Sequence, residues 1–264
     1  MADLPAAGGP AEDRSVLTRA APEPDVVLRY GEHPEQVVDL RLPPAAGDVP
    51  VPLVVVVHGG FWTPEYDRTH AAAQSAALAD AGYAVATVEY RRGDRDTLVA
   101  DVRAAVDAAP RLVAQAAPGR VDPAVTVLVG HSAGGHLSLL QAARPGACTA
   151  VVALAPVADL AAAEADGLGD GAVRAFLHGT AAEHPDLDPA RLPAPGVRVL
   201  LVHGETDDLV PPSQSTAYAA THPAVACELV PGAGHFALID PASAAWPRVL
   251  AAVGRAARAR TTLR

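Results

Sequence analysis

The sequence predicts an α/β fold: a mostly parallel sheet of about eight strands with helices on both faces. Three observations carry this. Pro52-Leu-Val-Val-Val-Val57 is a β-branched run with no polar face, which belongs in a sheet covered on both sides. Further apolar runs alternate with amphipathic helical stretches down the chain, the pattern of right-handed crossovers and a parallel sheet. Val125 to Leu140 joins a buried strand (Val125 to Val129) to a helix through the tight turn Gly130-His131-Ser132-Ala133-Gly134.

In order, residues 1–24 are rich in Ala, Pro, Gly and acidic residues and are expected to form a flexible arm. Residues 25–264 then make a single domain. Val26 to Tyr30 and Gln36 to Leu42 have the alternation of short strands, and Pro52 to Val57 is the first fully buried one. A helix is predicted over Arg68 to Ala81, closed by Gly82, and a strand over Tyr83 to Tyr90. Asp94 or Asp96 opens a helix with Leu98, Val102, Ala105 and Val106 on one face. Asp101 and Arg103 on that helix are expected to be solvated or capping residues.

After the Ser132 strand and helix comes a strand over Ala150 to Val157. Residues 159–196 then break the rhythm, with helical patches at Ala161 to Ala165 and Ala172 to Leu177 among Gly, Pro and acidic residues. So long a structureless loop is unusual in a compact domain, so a small helical lid insertion is expected. The alternation resumes with strands over Arg198 to Val202 and Ala226 to Val230. Helices follow each, near Ser213 to Thr221 and about Ala242 to Arg258.

Half of the residues are hydrophobic, the net charge is −10, and no Lys/Arg run occurs. That balance argues against nucleic acid and anionic membranes as partners. Cys148 and Cys227 lack C-x-x-C spacing and read as ordinary thiols of a reducing compartment. The first residues carry no apolar signal core, and no apolar run is long enough to span a bilayer. The expectation is a cytoplasmic protein, a monomer or homodimer, acting on a small molecule. None of the ten histidines has H-E-x-x-H spacing, so neither a metal nor another cofactor is expected.

In an open parallel sheet, chemistry gathers at the carboxyl ends of strands. Four segments end there with Gly-rich or polar punctuation: His58-Gly59-Gly60, His131-Ser132-Ala133, His203 to Asp208, and Gly232-Ala233-Gly234-His235-Phe236. They supply serine, acid and histidine in the order Ser132, Asp207, His235. A serine hydroxyl is a weak nucleophile at neutral pH; His235 would take its proton and return it to the leaving group. An acid would fix the imidazole tautomer and stabilise the imidazolium. Spacing alone leaves Asp207 and Asp208 both open as that acid, and Glu205 is a weaker candidate. Charge developing on a carbonyl oxygen needs preorganised donors, the first being the N–H of Ala133 after the nucleophile.

With these motifs the chain resembles the α/β-hydrolases, and within them the HGGxW group of kynurenine formamidases (arylformamidases) and related bacterial carboxylesterases. The residues that carry the resemblance are His58-Gly59-Gly60-Phe61-Trp62, Glu89-Tyr90-Arg91, Gly130 to His136, His203 to Pro211 and Gly234-His235-Phe236. The resemblance implies Asp207 as the acid and the N–H groups of Gly60 and Phe61 as the remaining oxyanion-hole donors. The insertion departs from the family pattern: His178-Gly179 stands where a Gly-Gly pair is common, and Asp188-Pro189-Ala190 where Ser-Pro is frequent.

His58 and His203 are expected to be buried supports for their loops, and His136 to pack in the helix behind Ser132. Trp62, Tyr66, His131, Phe176 and Phe236 are candidates for the substrate pocket. The function these features imply is a serine hydrolase cleaving a small carboxylic ester, or a formyl or aryl amide, through an acyl-enzyme. Kynurenine formamidase is the narrower alternative, and peptide or feruloyl-type hydrolysis a further enzymatic variant. A non-catalytic ligand-binding protein on the same fold is the alternative of a different class.

Overall fold

The computed structural model describes residues 12–44 and 49–258. The first eleven residues of the expected arm and the last six of the chain lie outside them. The strands are β1 (Val26–Arg29), β2 (Val37–Arg41), β3 (Val51–Val57), β4 (Ala84–Val88), β5 (Val121–His131), β6 (Ala150–Leu154), β7 (Arg198–Gly204) and β8 (Ala226–Val230). They form one sheet in the order β1-β2-β4-β3-β5-β6-β7-β8. The pairs β1–β2 and β2–β4 are antiparallel, and every later pair is parallel.

The helices are α1 (Ala72–Asp80), α2 (Arg95–Ala116), α3 (Ala133–Ala142), α4 (Leu160–Ala165), α5 (Leu168–Leu177), α6 (Ser213–Thr221) and α7 (Trp246–Ala257). Side chains alternate across a strand, so β3 feeds two cores. Leu53, Val55 and Val57 pack with the buried stripe of α2, including Leu98, Val102 and Val106; Val54 and Val56 pack with Leu78 of α1 and Val249 and Val253 of α7. Burial on both faces explains why β3 has no polar positions.

The expected boundaries are close, and each difference has a local cause. The helix predicted from Arg68 opens as a 3₁₀ turn, Arg68–Ala71, before α1. Asp94 is the cap of α2, accepting the Thr97 N–H at 2.9 Å. The strand predicted to reach Val157 stops at Leu154, because Ala155 has φ +42°. The last helix begins at Trp246, with proline in its first turn, where a missing N–H costs nothing.

Residues 159–196 form α4, α5 and three short 3₁₀ turns. The first turn of α5 is left-handed at Gly169, Asp170 and Gly171, so regular helix starts at Ala172. Asp188 ties this insertion together. Its buried carboxylate accepts N–H groups from Leu160 (3.0 Å), Ala161 (3.3 Å) and Ala190 (3.2 Å).

Asp101 departs from expectation. It is buried on the inner side of α2, where the Arg91 guanidinium (2.7 and 2.8 Å) and Gln36 (2.8 Å) satisfy it. Arg103, two residues on, is exposed as expected. Residues 12–24, within the expected arm, pack on the body: Ser15–Thr18 form a 3₁₀ turn and Val16 is 2% exposed.

Candidate active site

Ser132 follows the last residue of β5 and precedes the first of α3, with φ +56° and ψ −120°. A non-glycine residue in that region is strained, and such strain persists only where packing over-determines it. The packing is visible at Gly134, where a Cβ would lie 2.1 Å from the Val57 carbonyl oxygen and 2.4 Å from that of His58. Only glycine lets α3 cross β3 so closely. At this position the Ser132 hydroxyl stands at the N-terminal end of α3, where unpaired N–H groups and the helix dipole favour negative charge.

The loop after β3 passes over the serine. A Cβ on Gly59 would meet Ser132 Cβ at 3.2 Å and the His131 carbonyl oxygen at 2.7 Å, so any side chain here would collide with the nucleophile's own turn. Beyond it, Phe61 (φ +52°) and Trp62 (φ +61°) are both left-handed. Among the described residues, the N–H groups of Gly60, Phe61 and Ala133 have no backbone partner. Gly60 and Phe61 line the same cavity as Ser132.

A buried charged cluster holds this loop from below. The Glu89 carboxylate receives hydrogen bonds from His58 Nε2 (3.2 Å), the Arg68 N–H (3.0 Å) and the Tyr90 N–H (2.9 Å), and pairs with Arg92. Burial alone would raise its pKa, but the hydrogen bond and charge of His58, the Arg68 N–H and Arg92 bring it down to about 2. The Tyr90 hydroxyl donates to the His58 carbonyl at 2.6 Å. His58 is thus the loop support that its sequence position suggests.

Of the three acids left open by sequence spacing, Asp207 meets His235. The distance from His235 Nδ1 to Asp207 Oδ2 is 2.7 Å, whereas Asp208 and Glu205 are exposed. The other Asp207 oxygen accepts the N–H groups of Leu209 (3.0 Å) and Val210 (2.8 Å). Burial opposes ionisation, yet hydrogen bonds from His203 and His235 and the Val210 N–H hold the carboxyl far below the usual carboxylate range. With Nδ1–H donated to Asp207, the lone pair of His235 is on Nε2, the form a general base requires.

His203 bears on the same carboxylate. Its Nδ1 accepts from the Ser215 hydroxyl (2.7 Å), and its Nε2–H donates to the Val210 carbonyl (2.8 Å). His131 Nε2 donates to the His235 carbonyl at 3.1 Å; burial, and then the neighbouring His235 ring, keep His131 well below its ordinary pKa, so it stays neutral.

Ser132 and His235 border one cavity of about 30 Å³. Among the described residues no hydrogen bond joins the Ser132 hydroxyl to the ring; in ligand-free sites such bonds are often long and tighten on binding. Gly60, Phe61, Tyr66, His131 and Phe236 also line the cavity. A wider groove of about 800 Å³ adjoins it, sharing Phe61 and Tyr66 and walled by the left-handed turn of α5 and by Arg14, Asp166 and Asp208.

Trp62 and Phe176, expected in the substrate pocket, do not line this cavity; with Phe61 they line a separate one of about 180 Å³. They stack on one another at 4.8 Å between ring centroids, and Trp62 Nε1 donates to His136 Nδ1 at 3.2 Å. His136 Nε2 donates in turn to the Leu187 carbonyl at 2.8 Å. Burial pulls the pKa of His136 down to about 4, against the Leu187 hydrogen bond, so it serves as a neutral bridge between α3 and the insertion. The two aromatics therefore anchor the insertion. Sequence reasoning missed the cavity residues Leu17, His70, Gln74 and Ile239. His70 and Gln74 share the spacing of one helical face next to the His58 loop, a signal that could have found them; nothing in the composition around Leu17 marks it.

Several solved structures are similar to this chain. A truncated carbohydrate esterase from gut microbiota is 19% identical with a TM-score of 0.71, over 87% of this chain and 93% of that one. Esterase B from Lactobacillus rhamnosis is 22% identical with a TM-score of 0.74, over 92% and 88%. The esterase Est2 of Thermogutta terrifontis is 23% identical with a TM-score of 0.67, over 87% and 92%. At such identities the likeness speaks for the fold, which is the α/β-hydrolase fold. No curated protein matches the chain in sequence. The family model described as BD-FAE matches residues 38–221, and the chain belongs to the BD-FAE family.

Proposed function

We propose that this protein is a serine hydrolase that cleaves esters of short-chain acids through an acyl-enzyme at Ser132. The observation that carries this is the convergence on one small cavity of a strained serine and an Asp207-bound His235, 2.7 Å from its carboxylate. The esterase names of the structural neighbours support the same reaction class.

In the first half-reaction, Ser132 Oγ attacks the ester carbonyl while His235 Nε2 takes the hydroxyl proton. The oxyanion is received by the N–H groups of Ala133, Gly60 and Phe61, each such donor being worth about 10²–10³ in kcat. When the C–O bond to the alcohol breaks, His235 returns the proton to the departing oxygen. Water then attacks the acyl-serine by the same route, releasing the acid and restoring the hydroxyl. Asp207 orients the ring and stabilises its charged form without taking the proton.

The cavity beside Ser132 is small and the groove outside it is large, so the acyl part is short and the alcohol part bulky. The same small cavity suits a formyl group, which favours an N-formyl aryl amide, as in kynurenine formamidase, as the second reading. p-Nitrophenyl acetate and N-formylkynurenine, offered to wild type and Ser132→Ala, separate the two. The expected result is ester turnover that falls by at least about 10³-fold in the variant. Formamide turnover exceeding ester turnover would replace the first reading with the second, and turnover of neither would favour a ligand-binding role.

A further inference from the structure

We infer that the segment 12–19 completes the catalytic pocket, and that Leu17 sets the length of acyl chain accepted; this rests on the hydrolase reading above. The segment, Glu12-Asp-Arg-Ser-Val-Leu-Thr-Arg19, carries no strong hydrophobic pattern, but its contacts converge on the site. The Asp13 carboxylate accepts the Ser15 N–H at 2.9 Å and so opens the turn Ser15–Thr18. The turn points two neighbouring side chains at different targets. Val16 is buried in the core between the sheet, α1 and α7, while Leu17 borders the cavity that holds Ser132 and His235.

Three polar ties fasten the segment, and all land on the stretch from His235 to Asp240. The Glu12 carboxylate accepts the backbone N–H of His235 itself. The Arg14 guanidinium lies 5.5 Å from the centroid of the Phe236 ring. Arg19 pairs with Asp240, Nη2 to Oδ2 at 2.9 Å. A Cβ on Gly234 would lie 2.3 Å from the Glu12 carboxylate, so the glycine before the candidate general base leaves room for the strap as well as for the turn. Val16 supplies the apolar anchor, the ion pair fixes the far end, and Leu17 is left in the cavity wall together with Ile239.

Leu17 therefore acts as a stop for the acyl chain. Truncation to alanine removes three carbons from the cavity wall without touching the triad or the oxyanion donors. Each methylene newly buried there favours the longer ester by roughly fourfold. Leu17 is only half-buried, so its replacement spares the core.

The test is kcat/KM for p-nitrophenyl acetate, butyrate and hexanoate with wild type, Leu17→Ala, Leu17→Phe and Arg19→Gln, all as the full chain. Leu17→Ala is expected to raise the hexanoate-to-acetate ratio tenfold or more, and Leu17→Phe to lower it. Arg19→Gln, which loosens the strap from outside the pocket, should shift the ratio the same way as alanine, by less. Ratios within twofold of wild type in all three variants, with ester turnover still lost in Ser132→Ala, would overturn the strap alone. Turnover that is absent in wild type or indifferent to Ser132→Ala would overturn the hydrolase reading, and this inference with it.

Discussion

His203 Nε2 lies 3.3 Å from Asp207 Oδ2, the same oxygen that His235 Nδ1 approaches at 2.7 Å. A wholly buried imidazole with no part in the proton transfer thus helps to fix the acid. Its other bonds, to Ser215 and Val210, hold the ring in place. His203→Gln should lower kcat by roughly tenfold, the worth of one lost hydrogen bond in this setting, with KM within twofold. A matched loss in kcat and KM, or none, would show that Asp207 needs no such support.

Asp207 and its neighbour Asp208 make a sharp contrast, since sequence spacing allowed either. Asp207→Asn should lower kcat by about 10³–10⁴, through loss of the correct imidazole tautomer. Asp208→Asn, at an exposed carboxylate on the groove, should stay within threefold. Steady-state kinetics on one chromogenic ester decides both.

Glu89, like Asp207, contributes to the acid stability of the site. Its folded pKa of about 2 lies below its ordinary 4.5, so the stabilisation is complete above about 4.5 and is lost as pH falls from there toward 2. Glu89→Gln leaves Arg92 buried beside a neutral partner and should destabilise the protein at pH 7 by about 3–5 kcal/mol. It should also flatten the decline between pH 4.5 and 2. Urea unfolding at a series of pH values checks this; an unchanged acid slope would exclude Glu89 as its source.

Trp62 is expected to matter more for stability than for a small ester. Trp62→Phe keeps the stacking on Phe176 and loses the bond to His136, so it should cost about 1–3 kcal/mol while leaving KM for a small ester within twofold. A several-fold rise in KM without loss of stability would return Trp62 to the pocket.

The sheet was legible because its strands are written twice, in β-branched runs such as Val54 to Val57 and in the polar punctuation at their ends. The site was legible because the same punctuation carries Ser132, Asp207 and His235 in a chemically meaningful order. What escaped depends on long-range packing that local composition does not encode. Trp62 and Phe176 sit beside the active face in sequence, but the insertion needed an anchor and took both. Asp101 is buried because Arg91, ten residues earlier, turns back to pair with it. Leu17 lies in a run of residues poor in hydrophobic pattern, and only the fold brings it against a cavity built from residues 58 to 239.

The most direct measurement of the central claim is covalent labelling of the folded protein by a fluorophosphonate, with the adduct located by peptide mass spectrometry. One adduct per chain on Ser132, absent in Ser132→Ala and greatly slowed in His235→Ala, is the expected result. Folded wild-type protein that takes no label at Ser132, or that labels no faster than His235→Ala, would contradict it.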